Sequence, residues 1–392
     1  MAPSIDKLPR FPLRVNRLRQ GFPKTGPWID VKRVLIYRLG SLGDTVVALP
    51  CYHLIARAFP NAERRLLTNF PISANAPASA AVLGESGLVH SYMRYTAGTR
   101  SPKELLRLAV EIRRFKPEVL VYLMPVRSLR AVRRDKYFFQ LAGGVKRIFG
   151  LPTKVELVRV LNRSTGIYQA EAVRLAQAVR DLGDAQPEKL ENWSLGLTVQ
   201  ERQTAQVALG ELLGRPLIIC GPGTKMQAKD WGRENWRALL SKLATLYDGF
   251  GLAMVGAQED AGVSDYVSLD WNGPKVNLCG RLTPRETAAL FEFSQVFLGP
   301  DSGPMHLAAC ARVPCVIAFS ARGLPGVWFP VGPQHRVIYH KVNCFGCNLE
   351  TCTMENRKCL TSISVEEMAH ATTAVLGPVS DYKERPTNAQ PM

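Results

Sequence analysis

Two glycine-rich loops, each set between an apolar strand-like run and a helix-like run, constrain this chain more than any other feature. The first is Arg38-Leu-Gly-Ser-Leu-Gly-Asp44-Thr-Val-Val-Ala-Leu-Pro50, preceded by apolar residues 34–37. The second is Gly299-Pro-Asp301-Ser302-Gly303-Pro-Met-His306-Leu-Ala-Ala309, preceded by residues 296–298. In open α/β sheets, ligands bind in the crevice beyond the strand C-termini. A helix that starts there offers unpaired N–H groups and a positive dipole end to phosphate. One such loop in each half of the chain predicts two αβ units facing one cleft.

The rest of the chain supports that reading. Strand-like runs at 31–39, 64–69, 119–123 and 146–150 alternate with helix-like runs at 45–59, 102–115, 128–141 and 168–182. Such βα alternation predicts a parallel, doubly wound sheet. Pro50 inside the first helix is expected to bend it. The pattern loosens from 186 to 213, read as a linker, and then restarts. Strands are expected at 216–220, 251–256, 276–278, 295–299 and 315–320, and helices at 234–247, after Glu259, at 284–293, from His306, and at 365–375. The fold class is therefore α/β, with two Rossmann-like doubly wound domains facing a central cleft. Residues 1–30 form a basic leader, 31–185 and 214–378 the two domains, and 379–392 a tail.

The 392 residues carry 50 Lys and Arg against 33 Asp and Glu, a net charge of +17. A balance this basic implies an acidic partner: nucleic acid, anionic lipid or a phosphorylated substrate. The first 33 residues hold eight Lys/Arg and two Asp. Phe11, Val15, Leu18 and Phe22 fall there at helical spacing, as in a basic amphipathic helix lying on a membrane. Pro9, Pro12 and Pro23 favour a solvated leader instead. No apolar run approaches the roughly 20 residues of a membrane span. The N-terminus lacks the apolar core of a secretory signal, so a cytoplasmic location is expected.

Several groups carry chemistry. In the second loop Ser302 offers a hydroxyl, Gly303 lets backbone approach a phosphate, and His306 lies in the first helical turn; Asp301 and His306 would serve equally as helix cap and core histidine. Gly221-Pro-Gly-Thr224-Lys225 supplies a glycine turn, a hydroxyl and a cation. Lys229-Asp-Trp231 adds a charge for phosphate and an indole able to stack on a base, and Glu259 ends the next strand where an acid accepts ribose hydroxyls. Asp44, at the start of a helix facing the cleft, can take a proton from an attacking hydroxyl, or simply stabilise the helix dipole.

Together, Arg38-x-Gly-Ser-Leu-Gly-Asp44, Lys229-x-Trp231, Gly-x-x-Glu259 and Asp301-Ser-Gly-x-x-His306-Leu-Ala-Ala resemble the glycosyltransferase family 9 pattern, which includes the ADP-heptose:lipopolysaccharide heptosyltransferases. The resemblance implies a GT-B fold with an acceptor-binding N-terminal domain and a nucleotide-sugar-binding C-terminal domain. It implies Asp44 as the base of a single inverting displacement. Thr224, Lys225, Lys229, Trp231, Glu259, Asp301, Ser302, Gly303 and His306 would bind an ADP-sugar donor. Arg38, Arg127 and Arg130 would hold an acidic, lipid-linked saccharide acceptor, with peripheral contact to the anionic inner membrane surface. No cofactor is required for catalysis. The chain departs from the best-known lipopolysaccharide enzymes in its basic leader and in the Thr224-Lys225-Met-Gln-Ala run before Lys229.

Cys344-x2-Cys347-x4-Cys352-x6-Cys359 gathers four thiols near the C-terminus. In a cytoplasmic chain this spacing reads as a metal site more readily than as disulfides. Four thiolates suit structural zinc or iron, and reduced thiols without a ligand are the plain alternative. Two rivals to the heptosyltransferase reading remain: a GT-B glycosyltransferase or epimerase using another nucleotide sugar, and a basic nucleic-acid-binding protein. Against the second, the chain lacks an aromatic-basic RNA-binding signature and a helix-turn-helix pattern, and no nucleic-acid partner is expected.

Overall fold

The computed structural model describes residues 28–70, 79–96, 99 and 101–383. The expected basic leader lies, up to residue 27, outside the described residues, as does the tail beyond 383. Strands β1 (Arg33–Tyr37), β2 (Glu63–Asn69), β3 (Ser91–Tyr95), β4 (Val119–Tyr122) and β5 (Arg147–Phe149) form one sheet in the order β3-β2-β1-β4-β5. A short antiparallel hairpin follows, β6 (Leu161–Asn162) with β7 (Ile167–Tyr168). The second sheet is built from β8 (Leu217–Cys220), β9 (Gly251–Met254), β10 (Lys275–Asn277), β11 (Val296–Pro300), β12 (Cys315–Phe319) and β13 (Arg336–Tyr339). Its order is β10-β9-β8-β11-β12-β13.

Both large sheets are parallel throughout. Crossover helices cover both faces of such sheets, so central strands must be apolar on both sides. The segments VLVY, LIIC and CVIAF are accordingly buried at every position.

Strand order fixes where ligands can sit. β1 has β2 on one side and β4 on the other, so the chain reverses direction across the sheet at the β1 C-terminus. β8 lies likewise between β9 and β11. These are the switch points at which doubly wound sheets open a crevice. Loop 38–44 sits at the first, and the loops after β8 and β11 at the second.

The structure refines several expectations. The helix expected at 45–59 is two helices, Leu42–Val46 and Leu49–Ala58, with Pro50 in the first turn of the second. Proline fits there because that N–H has no helical partner anyway. The basic helix expected to reach 141 ends at Tyr137 and continues as a wide π-turn, Phe138–Ala142. The segment read as linker contains a helix, Val199–Leu209, opened by a Thr198–Glu201 capping box and packed on helix Pro284–Phe291. Only Ala205 and Leu209 of that helix are buried, which is why its periodicity is faint. Edge strand β3 has a single buried residue, Met93, and carries as weak a signal.

Among the described residues, the halves meet at several contacts. Helix Leu42–Val46 packs on helix Gly303–Cys310. The Tyr168 and Glu171 N–H groups donate to the Pro325 and Val327 carbonyls. Arg285, buried in the second half, donates to the carbonyls of Val82 and Leu83 in the first half and of Leu195 and Gly196 in the connection, and pairs with Glu201.

Candidate active site between the two halves

The loop after β1 is held from below by Arg38. Its side chain is buried; Nε and Nη2 donate to the Asp44 carbonyl at 3.1 and 2.8 Å, and Nη1 donates to the Leu123 carbonyl at 2.7 Å. Arg38 thus has no donor turned toward the cleft for an acceptor: the expectation of an acceptor-binding arginine is corrected to a residue that shapes the Asp44 loop. Beneath it lies Glu171, fully buried, 3.9 Å from Arg38, 2.6 Å from Arg174 and 2.9 Å from Arg159. Burial alone would raise the Glu171 pKa, but Arg174, Arg38 and Arg159 hold it below the usual carboxylate value.

Asp44 Oδ2 accepts hydrogen bonds from the Ser41 N–H and hydroxyl at 2.8 and 2.9 Å. The side chain stays 23% exposed, leaving one face open to the cleft. Gly40 has φ of +149°, and a Cβ there would strike the Asp44 side chain, so glycine is required for this turn.

Across the junction stands the loop after β11. Lys229 Nζ pairs with Asp301 Oδ2 at 2.8 Å, both largely buried. The Ser302 hydroxyl, at the start of helix Gly303–Cys310, is buried without a hydrogen-bond partner among the described residues. His306 is buried in the same helix. Burial pushes its pKa down to about 4, Lys229 pushes the same way, and Asp301 and Asp44 oppose. The imidazole is therefore neutral near pH 7. The influence of both Asp44 and Asp301 on one ring shows that the two loops meet. Gly43 lies against the His306 ring, and Gly303 against Leu42.

The loops after β8 and β9 converge beside this pair. Gly223 and Gly256 both lie against the Asp260 side chain, whose Oδ2 accepts from the Ala257 N–H at 2.8 Å. Burial raises the Asp260 pKa. Glu259, next to it, is exposed at the loop tip, where a ligand could reach it. Asp260 is the residue that sequence reasoning missed; the recurrence of glycines at 223 and 256 was its signal. Thr224 exchanges hydrogen bonds with the backbone of Met226, at 3.4 and 3.5 Å, and Lys225 is exposed beside it.

Trp231 is a correction. It is buried, donates its indole N–H to the Ile363 carbonyl at 3.0 Å and packs edge-on against Trp236 at 4.7 Å. A side chain enclosed on all sides cannot stack on a base, so Trp231 belongs to the core. Arg127 spends a donor on the buried Asp135 at 2.8 Å, beside Tyr122, whereas Arg130 is exposed on helix Leu129–Tyr137.

Cys344, Cys347, Cys352 and Cys359 all line one cavity of about 20 Å³, with Arg357 and Glu355 at its wall. The Arg357 N–H donates to Cys352 Sγ at 3.2 Å, and backbone donors of this kind lower that thiol's pKa. Among the described residues, no three His, Cys, Asp or Glu side chains stand close enough to form a ready ligand set. The donor chemistry fits a tetrahedral thiolate metal, although the thiols would have to draw together to hold one.

Two parallel, doubly wound sheets with their switch points turned toward one junction define the GT-B class of fold. Residues 168–358 match the model of Glycosyltransferase family 9 (heptosyltransferase), and the chain carries a domain of that family. Lipooligosaccharide heptosyltransferase 2 of Campylobacter jejuni is 23% identical over 157 residues, 40% of this chain and 49% of that protein. The chain thus spans about half the length of the curated relatives it matches. Among solved structures, a glycosyl transferase family 9 protein from Veillonella parvula aligns with TM-score 0.67 at 18% identity, covering 90% of this chain and 99% of the other. E. coli ADP-heptose lps heptosyltransferase II aligns with TM-score 0.62 at 18% identity, covering 88% and 98%. The iron-containing dodecameric glycosyltransferase TibC of enterotoxigenic E. coli shares the fold, with TM-score 0.52 at 13% identity over 89% of this chain and 77% of that one. No helix among the described residues is long and apolar enough to cross a membrane.

Proposed function

We propose that this chain is an inverting glycosyltransferase that moves a heptose from ADP-heptose to an acidic lipopolysaccharide-core or related envelope-glycan acceptor. The observation that carries the reading is the meeting of Asp44 with the Lys229–Asp301–His306 group across the junction of the two halves. Inversion by a single displacement needs a base on one face of the sugar and charge stabilisation for the leaving group on the other. Asp44 has an open carboxylate face and is the base for the acceptor hydroxyl. Lys229, the partnerless Ser302 hydroxyl and the N-terminus of helix Gly303–Cys310 take the developing diphosphate charge. Asp301 orients Lys229, Glu259 receives the ribose, and Thr224 and Lys225 complete the nucleotide side.

The acceptor enters over the first half, past Arg130 and the cationic helix that carries it, in the cytoplasm at the inner membrane face. The four cysteines bind a structural metal, zinc or iron, that pins the chain after β13; the iron of the fold relative TibC favours iron. Metal content of the purified chain, with and without Cys352→Ser, tests that part separately.

Calorimetry with ADP and UDP, on the native chain and on Glu259→Ala, tests the main reading. Preferred ADP binding weakened by the substitution supports it, and turnover of ADP-heptose follows as the direct assay. Preferred UDP binding would transfer the reading to another nucleotide sugar, and binding of neither would end it.

A further inference from the structure

Segment 151–163 leaves β5 at its C-terminal end, on the side of the parallel sheet from which the Asp44 loop also emerges. Its polarity is inverted. Arg159 turns inward to pair with the buried Glu171 at 2.9 Å, while Glu156 pairs at the surface with the exposed Arg180 at 2.6 Å. The aliphatic residues on either side of them are left in water: Val155 is 82% exposed, Val158 67%, Val160 60% and Leu161 41%. Soluble surfaces scatter single apolar residues, but a contiguous group of this kind marks a contact surface. The segment is also fixed in place, because the Tyr168 N–H just beyond it donates to the Pro325 carbonyl and Gly326 packs against Ile167 and Tyr168.

We propose that residues 151–163 form a docking lip that enters the surface of an anionic lipid bilayer, with Val155, Val158 and Val160 passing below the headgroups. Charge decides for this occupant. Lys154 and Arg163 are exposed on the segment, and Arg130 and Arg133 are exposed on the helix that follows β4 on the same side of the sheet. Apolar residues flanked by cations are the pattern of an interfacial segment, in which the aliphatic groups enter the acyl boundary while the cations hold anionic headgroups. A second copy of the chain is the poorer fit, since a self-complementary contact would set the same cations against one another. The proposal deepens the acceptor side of the function above, by placing the lip beside the cleft that a lipid-linked acceptor would enter.

Co-sedimentation of the full chain with phosphatidylglycerol-rich vesicles and with phosphatidylcholine vesicles tests it. The native chain should bind the anionic vesicles selectively. Combined Val155→Ser, Val158→Ser and Val160→Ser should weaken that binding by at least about tenfold. Lys154→Ser with Arg163→Ser should weaken it by about tenfold, each cation being worth a few-fold near an anionic surface. ADP binding, measured by calorimetry on the same variants, should not change. Vesicle binding that the valine variant leaves intact would overturn the proposal, as would no binding by the native chain. A native dimer that the valine variant dissociates, without any vesicle effect, would assign the lip to a second copy and overturn it too. Failure of ADP to bind the native chain would sink the nucleotide-sugar reading and leave the lip standing.

Discussion

Gly43 and His306 touch across the junction of the two halves: a methyl group at position 43 would lie 2.8 Å from His306 Cδ2. One residue follows β1 and the other follows β11, so this contact closes the two switch points onto each other. Neither residue needs the other for its own helix. The glycine is there because the imidazole of the opposite half occupies the space a side chain would take.

Gly43→Ala should therefore separate or distort the two loops. Overpacking of this kind costs about 1–3 kcal/mol. A lower Tm together with a fall in turnover that exceeds the loss of ADP affinity is the expected result; unchanged turnover would mean that the loops need not touch in the working enzyme.

Asp44→Asn keeps the side chain's shape and removes the proposed base. Turnover should fall by about 10²–10⁴-fold while ADP affinity stays within a few-fold of native. Rate assays paired with calorimetry check this, and a large loss of ADP affinity would instead assign Asp44 to the donor site.

Lys229→Met removes the cation and leaves the Asp301 carboxylate buried and unpaired. Loss of one partner of a buried pair costs about 3–5 kcal/mol, less here because Lys229 keeps some contact with water. Both a lower Tm and at least about tenfold weaker ADP binding are expected. Lys229→Met with Asp301→Asn should recover the Tm but not the ADP affinity.

His306 and His335 each have a pKa pushed down by burial to about 4. The unfolded chain, with histidines near 6.5, binds more protons than the folded one between those values. Their contribution is thus complete above about pH 6.5 and is lost as the pH falls toward 4, by up to about 3 kcal/mol for each group. The Tm should decline steeply over that window, and His306→Asn should flatten the decline. A Tm profile of equal slope in the variant would show that His306 does not drive it.

Arg285→Met strips the interdomain contact of its charge and leaves Glu201 facing four carbonyls without the guanidinium that joined them. A loss of about 3–5 kcal/mol is expected. Calorimetric unfolding should resolve into two transitions, one per half, where the native chain gives one; a single transition at unchanged Tm would argue that the helix contact at Gly43 and His306 suffices.

The parallel sheets were legible because covered strands must be apolar on both faces, and runs such as LIIC and CVIAF have few other uses. Glycines before helices likewise located the loops at both switch points. Helix Val199–Leu209 was not legible, because two buried residues give little periodicity and its place depends on helix Pro284–Phe291, far along the chain. Trp231 was misassigned for a related reason. An indole two residues from the Lys229 cation looks like a base platform until the Ile363 carbonyl, from near the C-terminus, is seen to take its N–H.

Local chemistry in the sequence determined the αβ class, the two glycine-rich loops before helices and the four-thiol cluster, since each depends on residues close together in the chain. What tertiary structure alone decided is the function of individual charges. Arg38 faces inward because the carbonyls of Asp44 and Leu123 meet there; Asp301 is paired because Lys229 arrives from another strand; His306 is neutral because both halves bury it. A charged or titratable group takes its role from its desolvation and its partners, and those are supplied by segments that only folding brings together.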